Sequence, residues 1–480
     1  MELNLIPRPS AVRLGEGLAP DVINEALDAA LPEEGYRIEA TLQGISLTAG
    51  SGRGLIWARN TLAQLRGQFP GSIPCMTIED APAYPIRSFH LDSARHMLPL
   101  AELKKIVDAA AAFKLNTLHW HISDDQGWRI ESKAWPLLHQ LGAWRNGDNF
   151  GTHRSDAREG GYFTREEVRE FVAYCHSRGV QVIPEVDLPG HVSAILHAYP
   201  HLSCRGEQVE VVTRAAITTE ILCAGKEEVY SFLEKMLEDL LELFPDPLFH
   251  IGGDEAPKTR WAECPCCRAK MEQLGFTSHR QLQGYMSGRI AEFLRQRGRR
   301  CIMWNDGAYG GGIDADVILQ VWFPDRDGAL DDHIAKGGQI ILSPVVPCYC
   351  DYPYGEHPLK AVYNLDLNPD YIKEDTLLGG ECLTWSEFIR TPERLQELAF
   401  PRFTALAETL WCGSARGEYE DFRNRLARSL PVFETHGIRP TPETGWDPDP
   451  EEAQRQSREF RLQFEAESEN QDYDALVAAM

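Results

Sequence analysis

The sequence predicts an α/β protein built on a TIM (β/α)8 barrel, and three observations carry that prediction. Eight short apolar runs recur between residues 85 and 415. Segments with apolar residues every three or four positions separate several of them, the alternation expected of a parallel sheet wrapped by helices. Charged or aromatic residues stand just beyond nearly every run, where a barrel of this kind carries its functional side chains. A doubly wound sheet fits so long a series of strands less well.

The chain opens with a small α+β accessory domain, residues 1–84. There YRIEATLQGISLTAGS alternates apolar and polar residues around Gly44 as a hairpin does, and LIWARNTLAQLRGQF continues at helical spacing. The proline-marked DAPAYP (80–85) is the expected junction. The barrel, 85–415, follows. Its candidate strands are IRSFHLD (86–92), NTLHWHI (116–122), VQVIPEV (180–186), PLFHIGG (247–253), RCIMW (300–304), VILQVW (317–322), QIILSP (339–344) and LLGGEC (377–382). Amphipathic stretches such as AELKKIVDAAAAF and REEVREFVAYCHSRG supply helices between them. The long gaps after the second, third, fourth and seventh strands are expected to be loops on the top face. Residues 416–480 turn charged and helical in period, a C-terminal extension expected either to close on the barrel or to stay partly solvated.

A chain of 480 residues exceeds one average domain but suits a barrel with a smaller partner. Its net charge of -24 argues against nucleic acid or an anionic membrane as partner. No stretch approaches the ~18 apolar residues of a membrane-spanning helix, and the N-terminus lacks a charged segment followed by an apolar core, so a cytoplasmic location is expected unless a signal has been removed. Twelve cysteines are scattered along the chain, a pattern of free or buried thiols. CPCC (264–267) offers half of a zinc knuckle, but no second CxxC accompanies it, and no metal or cofactor is expected.

The most informative stretch is LFHIGGDEAP, 248–257. An apolar run ends in two glycines that let the backbone turn sharply, and Asp254 and Glu255 follow. Neighbouring residues on a strand face opposite ways, so both carboxylates reach one ligand only if the chain has left the strand. The other strand ends supply Asp92, Arg95 and His96; Asp124, Asp125, Trp128 and Arg129; Glu185, Asp187 and His191; Trp304 and Asp306; Trp322; Tyr349 and Asp351; and Trp385 and Glu387. A polar floor with aromatic walls is the outline of a sugar site, because pyranose rings stack their C–H faces on indoles while their hydroxyls need directed polar partners.

The motifs LDSARH, FKLNTLHWHISDDQGWRIE, PEVDLPGH, HIGGDE, the Tyr349-x-Asp351 pair and TWSE, in that order, resemble glycoside hydrolase family 20, the β-N-acetylhexosaminidases. The resemblance covers about 85 to 415, and the N-terminal region is similar to the family's accessory domain. It implies retaining hydrolysis without an enzyme nucleophile: the substrate's own 2-acetamido oxygen attacks the anomeric carbon and forms an oxazolinium intermediate. By that resemblance Glu255 is the general acid and Asp254 orients the acetamide and stabilises charge on its nitrogen. Asp124 and His191 support the acid, and Arg95 and Glu387 grip sugar hydroxyls. Tyr349 and Asp351 hold the acetamide, while Trp304, Trp322 and Trp385 wall the ring and the acetamide methyl. One departure stands out. A tryptophan that many members carry after Tyr-x-Asp is replaced here by YPYGEHPLKAVYNLDLNPDY, with tyrosines only.

The expected substrate is an oligosaccharide or glycoconjugate ending in N-acetylglucosamine, or N-acetylgalactosamine. A disaccharide-releasing member and a carbohydrate-binding protein without catalysis are the alternatives. The sequence does not specify an oligomeric state.

Overall fold

The structure, a computed structural model, describes residues 3–324, 328–369, 372 and 375–468. Eight parallel strands close a barrel: Ile86–Asp92, Thr117–Asp124, Gln181–Val186, Leu248–His250, Arg300–Trp304, Ile318–Val321, Gln339–Leu342 and Leu377–Cys382. Each pairs with the next, and the eighth pairs with the first through Gly379 opposite Ile86. Every predicted run became a strand. The fourth is the one that falls clearly short, ending at His250 because Gly252 and Gly253 adopt φ of 65° and 111°.

The barrel interior is layered by the two-residue period of its strands. Ile86, Ile183, Ile302, Ile318 and Ile341 pack together at the lower end as an apolar plug. Two residues further on, the same inward face carries Ser88, Glu185, Trp304 and Gln320, so a polar layer sits directly above the plug. The strand ends that bear candidate site residues open above that layer.

The accessory region is a five-stranded sheet in the order Ala11–Ala19, Ile73–Asp80, Tyr36–Thr41, Gly44–Ala49, Ile23–Leu27. The central hairpin is the one predicted around Gly44. The Ala11–Ala19 and Ile23–Leu27 strands escaped prediction because they lie largely exposed and lack the alternation that a buried face imposes. Helix Gly52–Gln68 backs the sheet, with the Ser51 hydroxyl accepting the Arg53 and Gly54 N–H groups at its N-terminus. A buried polar knot ties the sheet to the barrel: Asp80 accepts from Lys114 Nζ at 3.0 Å, Tyr36 OH at 2.6 Å and Trp411 Nε1 at 2.9 Å.

The described part of the C-terminal extension packs on the rest of the chain. Helix Tyr419–Thr435 binds back through Arg425, which donates to Glu408 and to the Leu5 carbonyl. Helix Pro450–Ser468 sets Phe460 and Phe464 against Tyr352 and Phe388 beside the barrel mouth. The end of the extension, 469–480, and Asp370 and Tyr371 of the tyrosine-bearing stretch, lie outside the described residues. Among the described residues no helix is long and apolar enough to cross a membrane.

Candidate active site

The Gly-Gly turn delivers both carboxylates to one place. A Cβ on Gly252 would lie 1.8 Å from Asp187 Oδ1, so only glycine lets the turn pass this close. The Gly253 N–H donates to that same oxygen at 3.0 Å. Two non-glycine residues then take left-handed backbone, Glu255 at φ 43° and His191 at φ 52°. Such strain costs ~1–3 kcal/mol per residue and persists where surrounding structure imposes it. Here it brings an oxygen of Asp254, an oxygen of Glu255 and a ring nitrogen of His191 within 4.8 Å of one another.

These groups line a cavity of about 240 Å³ at the barrel mouth, with Arg95, Trp322, Tyr349, Asp351, Trp385 and Glu387 around it. Asp124 stands behind the wall. Its Oδ1 faces His191 Nδ1 at 3.1 Å, and its Oδ2 meets Arg95 at 2.7 Å and His121 Nε2 at 2.8 Å. Burial opposes its charge, but Arg95, His191 and His121 outweigh that and hold it far below the usual carboxylate range. Burial likewise disfavours a charged His191, yet Asp124 and Asp187 outweigh it and raise its pKa well above the ordinary value. With Nδ1 committed to Asp124, Nε2 faces Glu255 at 3.6 Å and Asp254 at 3.8 Å.

Asp254 titrates upward, to about 6, chiefly through burial, with the His191 charge and a hydrogen bond from Asp187 pulling the other way. Asp187 is pushed well above the carboxylate range by burial and by Asp254. The two carboxyls therefore titrate as a coupled pair, both above the usual carboxylate range. Asp306 accepts the Glu255 N–H and the Trp322 indole N–H, each at 3.1 Å, and burial and Asp254 raise it to about 7.

Arg95 sits over the Trp385 ring, 3.7 Å from Glu387. Asp351 belongs there too: burial and Glu387 raise its pKa well above the ordinary value. Tyr349 instead feels Asp254 most strongly among its neighbouring charges and stacks with Trp322. Both members of the Tyr349-x-Asp351 pair, expected to serve the acetamide jointly, line this cavity. The buried Trp304 indole donates to Glu185 at 2.8 Å, and its ring lies 5.9 Å from that of Trp385.

Three buried polar atoms aimed at this region, Asp254 Oδ1, Asp351 Oδ1 and His191 Nε2, lack a hydrogen-bond partner within the described protein. Buried polar atoms are rarely left so. Sequence reasoning passed over several contributors. Asp187 and Asp306 were visible as strand-end acids, but nothing marked them as partners of Asp254 and Glu255. Gln126, Tyr352, Phe388 and Phe464 also line the cavity, and Phe464 arrives from the last described helix, about which no local motif gives information.

Known proteins resemble this chain in sequence and in fold. The pattern of glycosyl hydrolase family 20, catalytic domain, matches residues 84–414, and that of glycosyl hydrolase family 20, domain 2, matches residues 7–81. A beta-hexosaminidase of Porphyromonas gingivalis is 33% identical over 453 residues, covering 89% of this chain, which spans 57% of that protein's length. The crystal structure of a beta-N-acetylhexosaminidase from Bacteroides fragilis superposes with a TM-score of 0.82 at 29% identity, covering 92% of this chain and 98% of that one. An exo beta-N-acetylglucosaminidase from Vibrio harveyi, solved in complex with N-acetylglucosamine, gives 0.80 at 27% identity, covering 92% of this chain and 78% of that one.

Proposed function

Because the chain belongs to glycosyl hydrolase family 20 and is a glycoside hydrolase of the β-N-acetylhexosaminidase type, we propose that it removes single terminal N-acetylhexosamine residues by substrate-assisted, retaining catalysis. The observation that carries this reading is the convergence of Asp254, Glu255 and His191 in a small cavity that Arg95, Asp351 and Glu387 also line. At about 240 Å³ the cavity falls below the ~300–1,000 Å³ of sites for larger ligands, which suits one sugar ring.

In the proposed reaction Glu255 protonates the glycosidic oxygen while the substrate's acetamide oxygen attacks the anomeric carbon. Asp254, as the anion, accepts the acetamide N–H and stabilises the positive charge that grows on nitrogen as the oxazolinium ring closes. Tyr349, beside Asp254, donates its hydroxyl to the attacking carbonyl oxygen and aligns it. Glu255 then takes a proton from water, which opens the ring from the face the aglycone left, so configuration is retained. Holding nucleophile and anomeric carbon in one molecule exploits effective molarity. Asp124 and His191 act as positioning residues behind Glu255. Arg95, Asp351 and Glu387 bind hydroxyls, for which a forked guanidinium between carboxylates is well suited. The mouth aromatics Tyr352, Phe388 and Phe464 take the place of the missing family tryptophan at the leaving-group side.

The test is hydrolysis of the p-nitrophenyl β-glycosides of N-acetylglucosamine, N-acetylgalactosamine and glucose. Cleavage of one or both acetamido sugars with the glucoside untouched is expected. Comparable cleavage of the glucoside would remove the acetamide from the mechanism, and inactivity on all three would refute release of a single sugar.

A further inference from the structure

The CPCC stretch finds partners that its spacing does not show. Cys264 caps the helix Pro265–Leu274, and Cys267 lies in its first turn. Cys204 and Cys223 come from the long segment between the third barrel strand and helix Glu227–Leu241, where an antiparallel bridge between Ser203 and Leu222 sets them side by side. The four sulfurs lie within 4.8 Å of one another. Cys223 Sγ is 3.6 Å from Cys267 Sγ and 3.7 Å from Cys264 Sγ, and Cys204 Sγ is 3.9 Å from Cys267 Sγ. A tetrahedral ion with Zn–S bonds of ~2.3 Å requires sulfur–sulfur edges of ~3.8 Å. A disulfide requires ~2.05 Å, and all four cysteines are free thiols.

We propose that Cys204, Cys223, Cys264 and Cys267 form a structural tetrathiolate zinc site. Cys223, Cys264 and Cys267 are buried and Cys204 is half-buried, so four weakly hydrogen-bonding thiols occupy a space where thiolates on a cation are far better satisfied. Cys266 points outward and stays free, as the residues between two ligands of a knuckle do. The backbone is shaped for close approach. A Cβ on Gly225 would lie 2.4 Å from the Cys267 nitrogen, so glycine alone lets the Cys223 strand pass over the helix start.

Four protein ligands leave no open coordination position, so the ion takes no part in hydrolysis. Its role follows from what it joins. One side is the loop whose Ala215, Ala216 and Ile217 line the active cavity, and the other is the segment leaving the fourth strand just beyond Asp254 and Glu255. Trp261 Nε1 donating to the Leu222 carbonyl at 2.8 Å and Arg260 donating to Glu220 at 2.7 Å brace the same junction.

Elemental analysis and native mass spectrometry of the full chain, purified without chelator from zinc-supplemented medium, test the proposal. About one zinc per chain is expected. Cys266→Ser should keep it and Cys223→Ser should drop it below roughly a tenth of that. Cobalt-substituted protein should show the intense visible bands of a tetrahedral thiolate centre. Since Cys223→Ser can fail to fold, alkylation of the native wild-type protein supplies an independent reading, with Cys266 labelled and the four proposed ligands protected until a chelator is added. Absence of stoichiometric metal, an intact mass short by two or four hydrogens, or equal labelling of Cys266 and Cys267 would each overturn the site. Iron in place of zinc would overturn the choice of metal.

Discussion

At the scale of single residues, the division of labour between adjacent carboxylates rests on environment. Glu255→Gln removes the proposed acid and should lower turnover by about 10²–10⁴ with the fold intact. A loss of only a few fold would take Glu255 out of that role. Asp254 must be an anion to stabilise the growing cation, yet it sits with Asp187 in a site that raises its pKa to about 6. A raised carboxylate pKa means the charged form is lost as pH falls, so kcat should decline on the acid side with an apparent pKa near 6 rather than near 4. A flat profile down to pH 4.5 would contradict the assignment. Most of these residues were legible in the sequence because motif order and strand ends select them. The roles of Asp187 and Asp306 beside Asp254 and Glu255 were not legible, because which side of a strand end a residue faces depends on turn geometry that its letter does not encode.

At the scale of elements, the turn after the fourth strand is the critical one. Gly252→Ala would place a methyl group on Asp187 Oδ1 at a φ of 65°, and either the turn or Asp187 must move. Displacement by ~1 Å costs about 10²-fold in rate, so turnover should collapse while circular dichroism stays native. Unchanged activity would show that the close approach is unimportant. The last described helix offers a second prediction. Phe464 lines the mouth, so Phe464→Ala should raise KM a few fold on disaccharides and leave kcat unchanged, as loss of uniform binding does. The barrel strands were readable because apolar runs bounded by turn residues report burial directly. This helix was readable as a helix, but its docking over the site was not, since amphipathic period gives a face and no address.

At the scale of the whole molecule, distant segments meet at buried polar joints. Asp80, Lys114, Tyr36 and Trp411 lock the accessory sheet to the barrel, with Lys114 and Asp80 almost wholly buried. Lys114→Met would strand the Asp80 charge and should cost about 3–5 kcal/mol, read as a lower denaturant midpoint. No change in the midpoint would mean that the joint carries no stability. The four-cysteine cluster is the clearest case of information absent from local sequence, because two of its members are single cysteines in loops and only the fold brings them to the CPCC helix. The barrel, by contrast, was legible as a whole, since eight repeats of one pattern leave few ways to close.

The central claim is that the substrate's acetamide, and no enzyme group, attacks the anomeric carbon. The most direct test replaces the N-acetyl group of the p-nitrophenyl glycoside by mono-, di- and trifluoroacetyl groups, which withdraw electrons from the carbonyl oxygen without greatly enlarging it. The account predicts a kcat/KM that falls steeply and steadily with each fluorine. A rate indifferent to fluorination would contradict it and return the nucleophile to the protein.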